Sequence, residues 1–232
     1  MNTSIKFVDF HSHTPQIHQD SDTFVLYCHA DVTQELPSEL SNQAYTAGLH
    51  PWFIPEDLTK FEDHWNRLQT LLENDSCLGL GECGLDRLKG PKFEIQIDVM
   101  KMQLELATLK SLPFIVVHCV RAYPECMSLI KASGFKGHII FHDFGAKNEM
   151  AKQILSHEKT YLSLGAALER ESFVSQVLPK LPLERVLLET DDAKNITVKE
   201  RYRQLSQART LELEEIKTTL YKNAQEILPV SL

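Results

Sequence analysis

The sequence predicts an α/β fold, a (β/α)8 barrel of the TIM type that is irregular in its first crossovers. Short segments that are apolar throughout alternate with longer segments of helical period, as in a parallel sheet covered by helices on both faces. About eight such strands are present, and polar residues end most of them. An open doubly wound sheet is the alternative, but its ligands would gather at one switch point. Because the polar strand ends are spread over many strands, the barrel is favoured.

The first three predicted strands follow one another closely. They are expected at 5–13, at 23–29 and, more weakly, at 44–49. The segment 14–22 is polar and typical of a turn, and the segment 31–41 is a loop interrupted by Pro37. Neither segment is long enough for a full helix, so the first crossovers are expected to be irregular.

The remaining strands and helices alternate along the chain. A helix that begins near Pro55 carries apolar residues at helical spacing, including Phe61, Trp65 and Leu68. The strands that follow are short, apolar and bounded by loop residues. They are predicted at 77–82, 113–118, 138–142, 160–164 and 185–189. The helices are predicted at 55–73, 92–110, 123–132, 147–157, 169–178, 199–207 and 212–228. We expect residues 1–232 to form a single domain.

Composition limits the classes of partner. The net charge is −8, from 24 basic and 32 acidic residues, which argues against tight nonspecific binding of duplex DNA. The five cysteines form no C-x-x-C pair, so we expect no disulfide framework and a cytoplasmic protein. The N-terminus has no apolar signal-peptide pattern, and no apolar run reaches the length of a membrane span.

The first strand ends in a His-x-His pair. Residues two apart on a strand point to the same side, so His11 and His13 are expected to project together, with Asp9 behind them as a hydrogen-bond acceptor. Two imidazoles on one side suit a divalent cation. Two surface histidines in a loop are the simpler alternative for this stretch alone.

Later strand ends add further metal-competent side chains. His50, Glu82, His118, His142, Glu189 and Asp191 follow or end successive strands. Each alone has an ordinary explanation, such as a buried histidine bonded to backbone or a solvated acidic loop. Together they predict a metal site of histidines and carboxylates, which suits Zn²⁺, Mn²⁺ or Mg²⁺. The set exceeds what one tetrahedral ion needs, so two ions and metal-assisted hydrolysis are expected.

The motifs resemble those of the TatD-type metal-dependent deoxyribonucleases, within the amidohydrolase-like barrels. The matching segments occur in the family's order over almost the whole chain. They are 8–13 (VDFHSH), 48–51 (GLHP), 81–86 (GECGLD), 117–118 (VH), 141–145 (FHDFG), 188–191 (LETD) and 223–228 (NAQEIL). The combination of Gly-Glu-x-Gly-Leu-Asp with Glu-Thr-Asp is specific, whereas His-x-His alone is not.

The resemblance implies a role for each site residue. His11, His13 and Asp191 would hold one metal ion, and His118 and His142 the other. Glu82 would bridge the ions and, with Asp191, act in catalysis. His50 and Arg121 would contact the substrate. The implied activity is hydrolysis of phosphodiester bonds in DNA, on single strands or at ends, with two divalent ions and with no membrane or obligate protein partner.

The chain departs from the family's pattern beside these residues. The usual His-Pro-His is His50-Pro51-Trp52, and the arginine after the fifth-strand histidine is Arg121 rather than residue 120. These changes fall on substrate-facing positions, so two other hypotheses stay open. One is an amidase or esterase for a small metabolite, although Glu82 stands where a bridging lysine would be expected. The other is a metal-binding scaffold without catalytic activity.

Overall fold

The computed structural model describes residues 5–15, 21–38, 43–230 and 232. Eight strands form one sheet in chain order, as the sequence predicted. They are β1 (Phe7–Ser12), β2 (Thr23–His29), β3 (Tyr45–Ala47), β4 (Cys77–Asp86), β5 (Phe114–Val120), β6 (His138–Phe141), β7 (Thr160–Leu164) and β8 (Val186–Leu188). The described strand pairs are parallel. The end of β1 pairs with the residues after β8, because the Asp191 N–H donates to the His11 carbonyl at 2.9 Å and the His13 N–H to the Asp191 carbonyl at 3.0 Å. This arrangement confirms the barrel.

In the part of the chain that the structure describes, seven α-helices follow the predicted order. They are α1 (Leu58–Leu71), α2 (Phe93–Leu109), α3 (Tyr123–Ser133), α4 (Asn148–Leu155), α5 (Glu171–Gln176), α6 (Val198–Arg209) and α7 (Leu213–Ile227). Short 3-10 turns cover Pro51–Phe53, Ala166–Glu169, Leu178–Lys180 and Leu183–Arg185. In the described part of the chain, none of the helices has the length and apolar content needed to cross a bilayer.

Some predicted bounds are wrong. The single helix expected at 169–178 is two 3-10 turns flanking the short α5, and Pro179 lacks the N–H that a continuing helix would need. Strands β4 and β5 run past Glu82 and His118 to Asp86 and Val120. The turn expected at 14–22 and the loop expected at 31–41 fall partly outside the described residues.

The chain divides into two compact units. Residues 1–27 and 141–232 form one unit, and residues 28–140 form the other. In the first unit, β1, β7 and β8 bury all of their residues. Helices α6 and α7 pack against β1 and β8, and α4 packs against β7. In the second unit, β4 and β5 pack against α2 and α3. The prediction of a single domain stays a prediction.

Gly84 allows β4 and β5 to approach each other closely beside Glu82 and His118. Gly84 has a φ of +148°, and a Cβ at this position would overlap the His118 carbonyl oxygen. Only a residue without a side chain fits here. The Gly-Glu-x-Gly motif therefore keeps Glu82 and His118 on closely paired strands.

Helix α6 begins with a capping box. The Thr197 hydroxyl accepts the Glu200 N–H at 3.3 Å, and Glu200 Oε2 accepts the Thr197 N–H at 2.6 Å. The helix places the fully buried Tyr202 against β1, where the Val8 N–H donates to the Tyr202 hydroxyl at 3.1 Å. The cap therefore supports the helix that packs behind the first site strand.

We expect Thr197→Ala to lower the free energy of unfolding by about 1 kcal/mol, because the side-chain half of the capping box is lost. Urea denaturation followed by circular dichroism would measure the change. Thr197→Ser keeps the hydroxyl and serves as the matched control. Equal denaturation midpoints for the alanine and serine variants would contradict a stabilising role for this cap.

Candidate metal centre

The first group of metal-competent side chains lies in the unit that contains β1 and β8. His11 is 1% exposed, and its Nε2 lies 3.8 Å from Asp191 Oδ1. His13 Nε2 lies 3.3 Å from the same oxygen. His142 follows β6, and the centroid of its ring lies 4.5 Å from that of His11. One ligand-type atom from each of His11, His142 and Asp191 lies within 4.8 Å of the others.

Asp9 supports this group from behind through Thr190. Asp9 Oδ1 accepts the Thr190 N–H at 3.0 Å, and Oδ2 accepts the Thr190 hydroxyl at 2.6 Å. Burial raises the pKa of Asp9 to about 7, even though these hydrogen bonds and one from the His11 backbone lower it. The sequence predicts Asp9 as a hydrogen-bond acceptor behind the histidine pair, and this role stays a prediction. Its bonds to Thr190 fix the backbone that leads to Asp191, whose φ is +55°.

Glu189 supports the histidine after β6. The side chain of Glu189 is fully buried, and its Oε1 accepts the Asp143 N–H at 2.7 Å. The same oxygen lies 3.5 Å from His142 Nδ1. The other carboxylate oxygen, Oε2, makes no hydrogen bond to any described residue. This carboxylate therefore fixes the position of the 142–143 segment beside the first group.

The second group lies in the unit formed by residues 28–140. Glu82 is 1% exposed on β4, and its Oε1 lies 3.4 Å from His118 Nδ1 and 3.6 Å from His50 Nε2. One ligand-type atom from each of the three residues lies within 4.8 Å of the others. All three side chains are buried. A carboxylate and an imidazole from paired strands thus face each other in a site shielded from water.

A hydrogen bond distinguishes His50 from the other members of the second group. His50 Nδ1 accepts the Trp52 N–H at 3.1 Å, which fixes the start of the 3-10 turn. Neutral His50 then carries its proton on Nε2, the atom that faces Glu82. His50 is therefore placed as a hydrogen-bond donor. The substrate-facing role of His50 stays a prediction.

Asp86 is a member of the site whose role sequence reasoning missed. Its Oδ2 lies 3.3 Å from His118 Nε2 and accepts the Trp52 indole N–H at 2.6 Å. Its Oδ1 accepts the backbone N–H groups of Leu88 and Lys89 at 2.7 and 3.1 Å. Burial acts to raise the pKa of Asp86, but the hydrogen bonds from Trp52, Leu88 and His118 outweigh it and hold the pKa below its usual value. The only sequence signal for Asp86 was its place at the end of the Gly-Leu-Asp segment.

Cys28 is a second residue that sequence reasoning missed. Its Sγ lies 3.5 Å from Glu82 Oε2, and burial, followed by the charge of Glu82, raises the pKa of the thiol well above its usual value. The thiol is a neutral donor toward the carboxylate. Nothing in the apolar run TFVLYCH indicated this contact. Cys83, next to Glu82, is also fully buried.

The two groups fit divalent cations by their chemistry. Imidazole nitrogens and carboxylate oxygens are the ligands of Zn²⁺ and Mn²⁺, and a cation would offset the cost of burying Glu82. The bridging of two ions by Glu82, and the pairing of His118 with His142, stay predictions. Arg121 follows β5 with a φ of +55° and is exposed, and its predicted contact with substrate also stays a prediction.

Comparison with known proteins places these residues in one family. Residues 9–229 match the family model described as TatD related DNase. The chain is 28% identical over 159 residues to a protein of Erwinia amylovora named 3'-5' ssDNA/RNA exonuclease TatD. It is also 28% identical over 192 residues to an uncharacterized metal-dependent hydrolase of Methanocaldococcus jannaschii. These matches cover 63% and 77% of this chain and 56% and 72% of the relatives.

Two solved structures share the fold over nearly the whole chain. The TatD homologue YJJV of Escherichia coli has a TM-score of 0.82 and 20% identity, covering 98% of this chain and 99% of that one. A TatD family hydrolase of Entamoeba histolytica has a TM-score of 0.82 and 17% identity, with the same coverage. By contrast, the chain spans little more than half the length of the curated exonuclease that it matches. Since the family model covers residues 9–229, the chain belongs to the TatD related DNase family.

Proposed function

We propose that this chain is a metal-dependent phosphodiesterase that shortens single-stranded nucleic acid. The observation that carries the proposal is the pair of His and carboxylate groups at the strand ends, His11–His142–Asp191 and His50–Glu82–His118. The similarity to an exonuclease for single-stranded DNA and RNA supports this class of substrate. The five cysteines remain thiols, which supports a reducing cytoplasmic setting.

The two groups would hold one divalent ion each. In the first group, His11, His13, His142 and Asp191 would supply nitrogen and oxygen ligands. In the second, Glu82 and His118 would do so. Bound divalent ions in such sites polarise a phosphoryl oxygen and activate the attacking water.

The protein groups around the ions position the reacting parts. His50, with its proton on Nε2, donates toward the space beside Glu82 and can bond a phosphate oxygen. Asp191 Oδ1, close to His11 and His13, is placed to accept a proton from the attacking water. Asp9 and Asp86 hold the backbone before Asp191 and the ring of His118 in fixed orientations.

Purified protein is expected to release mononucleotides from labelled single-stranded DNA when Mg²⁺, Mn²⁺ or Zn²⁺ is present, and to lose this activity in EDTA. Glu82→Gln should reduce the rate to near background, because the carboxylate that faces His118 is lost at unchanged volume. Glu105→Gln, on the exposed face of α2, is the matched control. If the metal-loaded protein hydrolyses an ester or amide but leaves DNA and RNA intact, the small-metabolite hydrolase is the correct assignment.

We predict that His11→Ala retains one divalent ion of two and nearly abolishes hydrolysis, because His11 lies at the centre of the first group. Metal content measured by mass spectrometry after dialysis would show the stoichiometry. His157→Ala, an exposed histidine after α4, is the matched control. Full activity and two ions in the His11 variant would refute a role for β1 in the site.

Asp86→Asn is expected to weaken metal binding roughly 10- to 100-fold, because a neutral amide replaces the charged carboxylate that faces His118 Nε2. Isothermal titration with Mn²⁺ measures this directly and does not depend on turnover. The matched control is Asp98→Asn, an exposed carboxylate on α2. Unchanged Mn²⁺ affinity in the Asp86 variant would show that its bond to His118 does not affect the ligand.

A further inference from the structure

An exposed aromatic surface lies beside the second group. Five large apolar side chains are exposed among the residues that the structure describes, and three of them belong to two neighbouring loops of one unit. Trp52 and Phe53 are 39% and 42% exposed in the 3-10 turn, and Leu88 is 64% exposed in the loop after β4. Exposed apolar side chains that cluster beside a polar cavity are typical of a binding surface.

The two loops are held together in a fixed arrangement. Asp86 accepts the Trp52 indole N–H through one oxygen and the backbone N–H groups of Leu88 and Lys89 through the other. Gly90 has a φ of +96°, and a Cβ at this position would lie only 2.6 Å from the Pro51 carbonyl oxygen. The loop therefore packs directly on the 3-10 turn. Because the rings are already ordered, a ligand would bind them with little loss of conformational freedom.

A cation accompanies the aromatic rings. Lys89 Nζ lies 3.4 Å from the centroid of a Trp52 ring. The ammonium of Lys89 lies over the indole and its side chain is exposed, so the ammonium can turn from the ring to an anion. Arg87, in the same loop, is instead bonded to Glu125 at 2.6 Å. Lys89 is thus the cation that this loop offers to a ligand at the aromatic surface.

The aromatic surface directly adjoins the predicted reaction centre. The ring centroids of Trp52 and Phe53 lie 4.9 and 5.6 Å from that of His50, and the centroid of Trp52 lies 5.6 Å from that of His118. A substrate whose phosphate reached His50 would place its next planar group over these rings. Aromatic side chains beside a cation are the usual platform for unpaired bases.

We infer that Trp52, Phe53 and Lys89 form a subsite that stacks one unpaired nucleobase and pairs with its adjoining phosphate. The inference rests on the proposed function, and it specifies single-stranded nucleic acid as the ligand. In a duplex the base faces are covered by their neighbours, so only a single strand or a frayed end can present a free face.

Binding to a fluorescein-labelled oligothymidylate with phosphorothioate linkages would test the subsite in the metal-loaded full chain. Fluorescence anisotropy gives the dissociation constant, and a gel confirms that the oligonucleotide stays intact. The Trp52→Ala/Phe53→Ala variant should raise the dissociation constant about tenfold. Phe53→Ala alone should raise it by a smaller factor and guards against misfolding of the double variant. Leu109→Ala, an exposed apolar residue at the end of α2, is the matched control.

Two comparisons separate stacking from a merely structural role. Trp52→Phe keeps a ring but loses the bond to Asp86, so stacking predicts near-native affinity for this variant. The second comparison uses oligonucleotides that carry one abasic unit, placed at each position in turn. At one position the abasic unit should weaken binding to the wild type about tenfold, and it should not weaken binding to the double alanine variant. Lys89→Ala should lower the slope of log affinity against log salt by roughly 0.7, the value for one phosphate contact on a single strand.

The outcomes distinguish this inference from the proposed function. Equal damage by Trp52→Phe and by Trp52→Ala/Phe53→Ala, or persistent discrimination against the abasic unit in the double variant, would overturn the stacking subsite. Nuclease activity that is unaffected by all of these variants would also overturn the stacking subsite, but it would agree with the proposed phosphodiesterase function. Absence of both binding and cleavage of nucleic acid would overturn the subsite together with the proposed function.

Discussion

Burial of carboxylates on the strands and directly after them is the constraint on which the rest of this structure depends. Glu82 and Glu189 are almost completely shielded from water, and Asp9 is nearly so. Ionised carboxylates are costly in such places unless hydrogen bonds or cations offset the lost hydration. Hydrogen bonds from Thr190 offset only part of this cost at Asp9, whose pKa stays raised to about 7, whereas Glu82 faces His50 and His118. The residues around Glu82 therefore form a site whose chemistry is balanced best by a bound cation.

The order of strands and helices could be predicted because strand and helix periods differ along this chain. The bounds near the site could not, since β4 and β5 extend past the polar residues that were taken as strand ends. Glycines with positive φ at 81 and 84 let β4 continue through Glu82 with shifted register. Periodicity carries no signal for such a shift, because it records which residues are apolar and not how two backbones approach.

The ligand-type residues of the site were predicted from strand ends, but their supporting contacts were not. Asp86 lies four residues beyond Glu82 and reaches His118 only because β4 and β5 pair in the register that places Gly84 against His118. Cys28 contacts Glu82 from another strand, inside an otherwise apolar run. Contacts of this kind depend on register and rotamer, which single-residue patterns do not encode.

An acidic chain can bind the proposed nucleic-acid substrate when the binding energy comes from stacking and not from long-range attraction. A protein with a net charge of −8 gains little from long-range attraction to a polyanion. Stacking does not depend on net charge, since every base presents a π face to an aromatic ring. Exposed rings fixed beside the buried second group would therefore supply affinity that the surface charge does not. Such binding also favours single strands over duplexes, because only unpaired bases can leave their own stack.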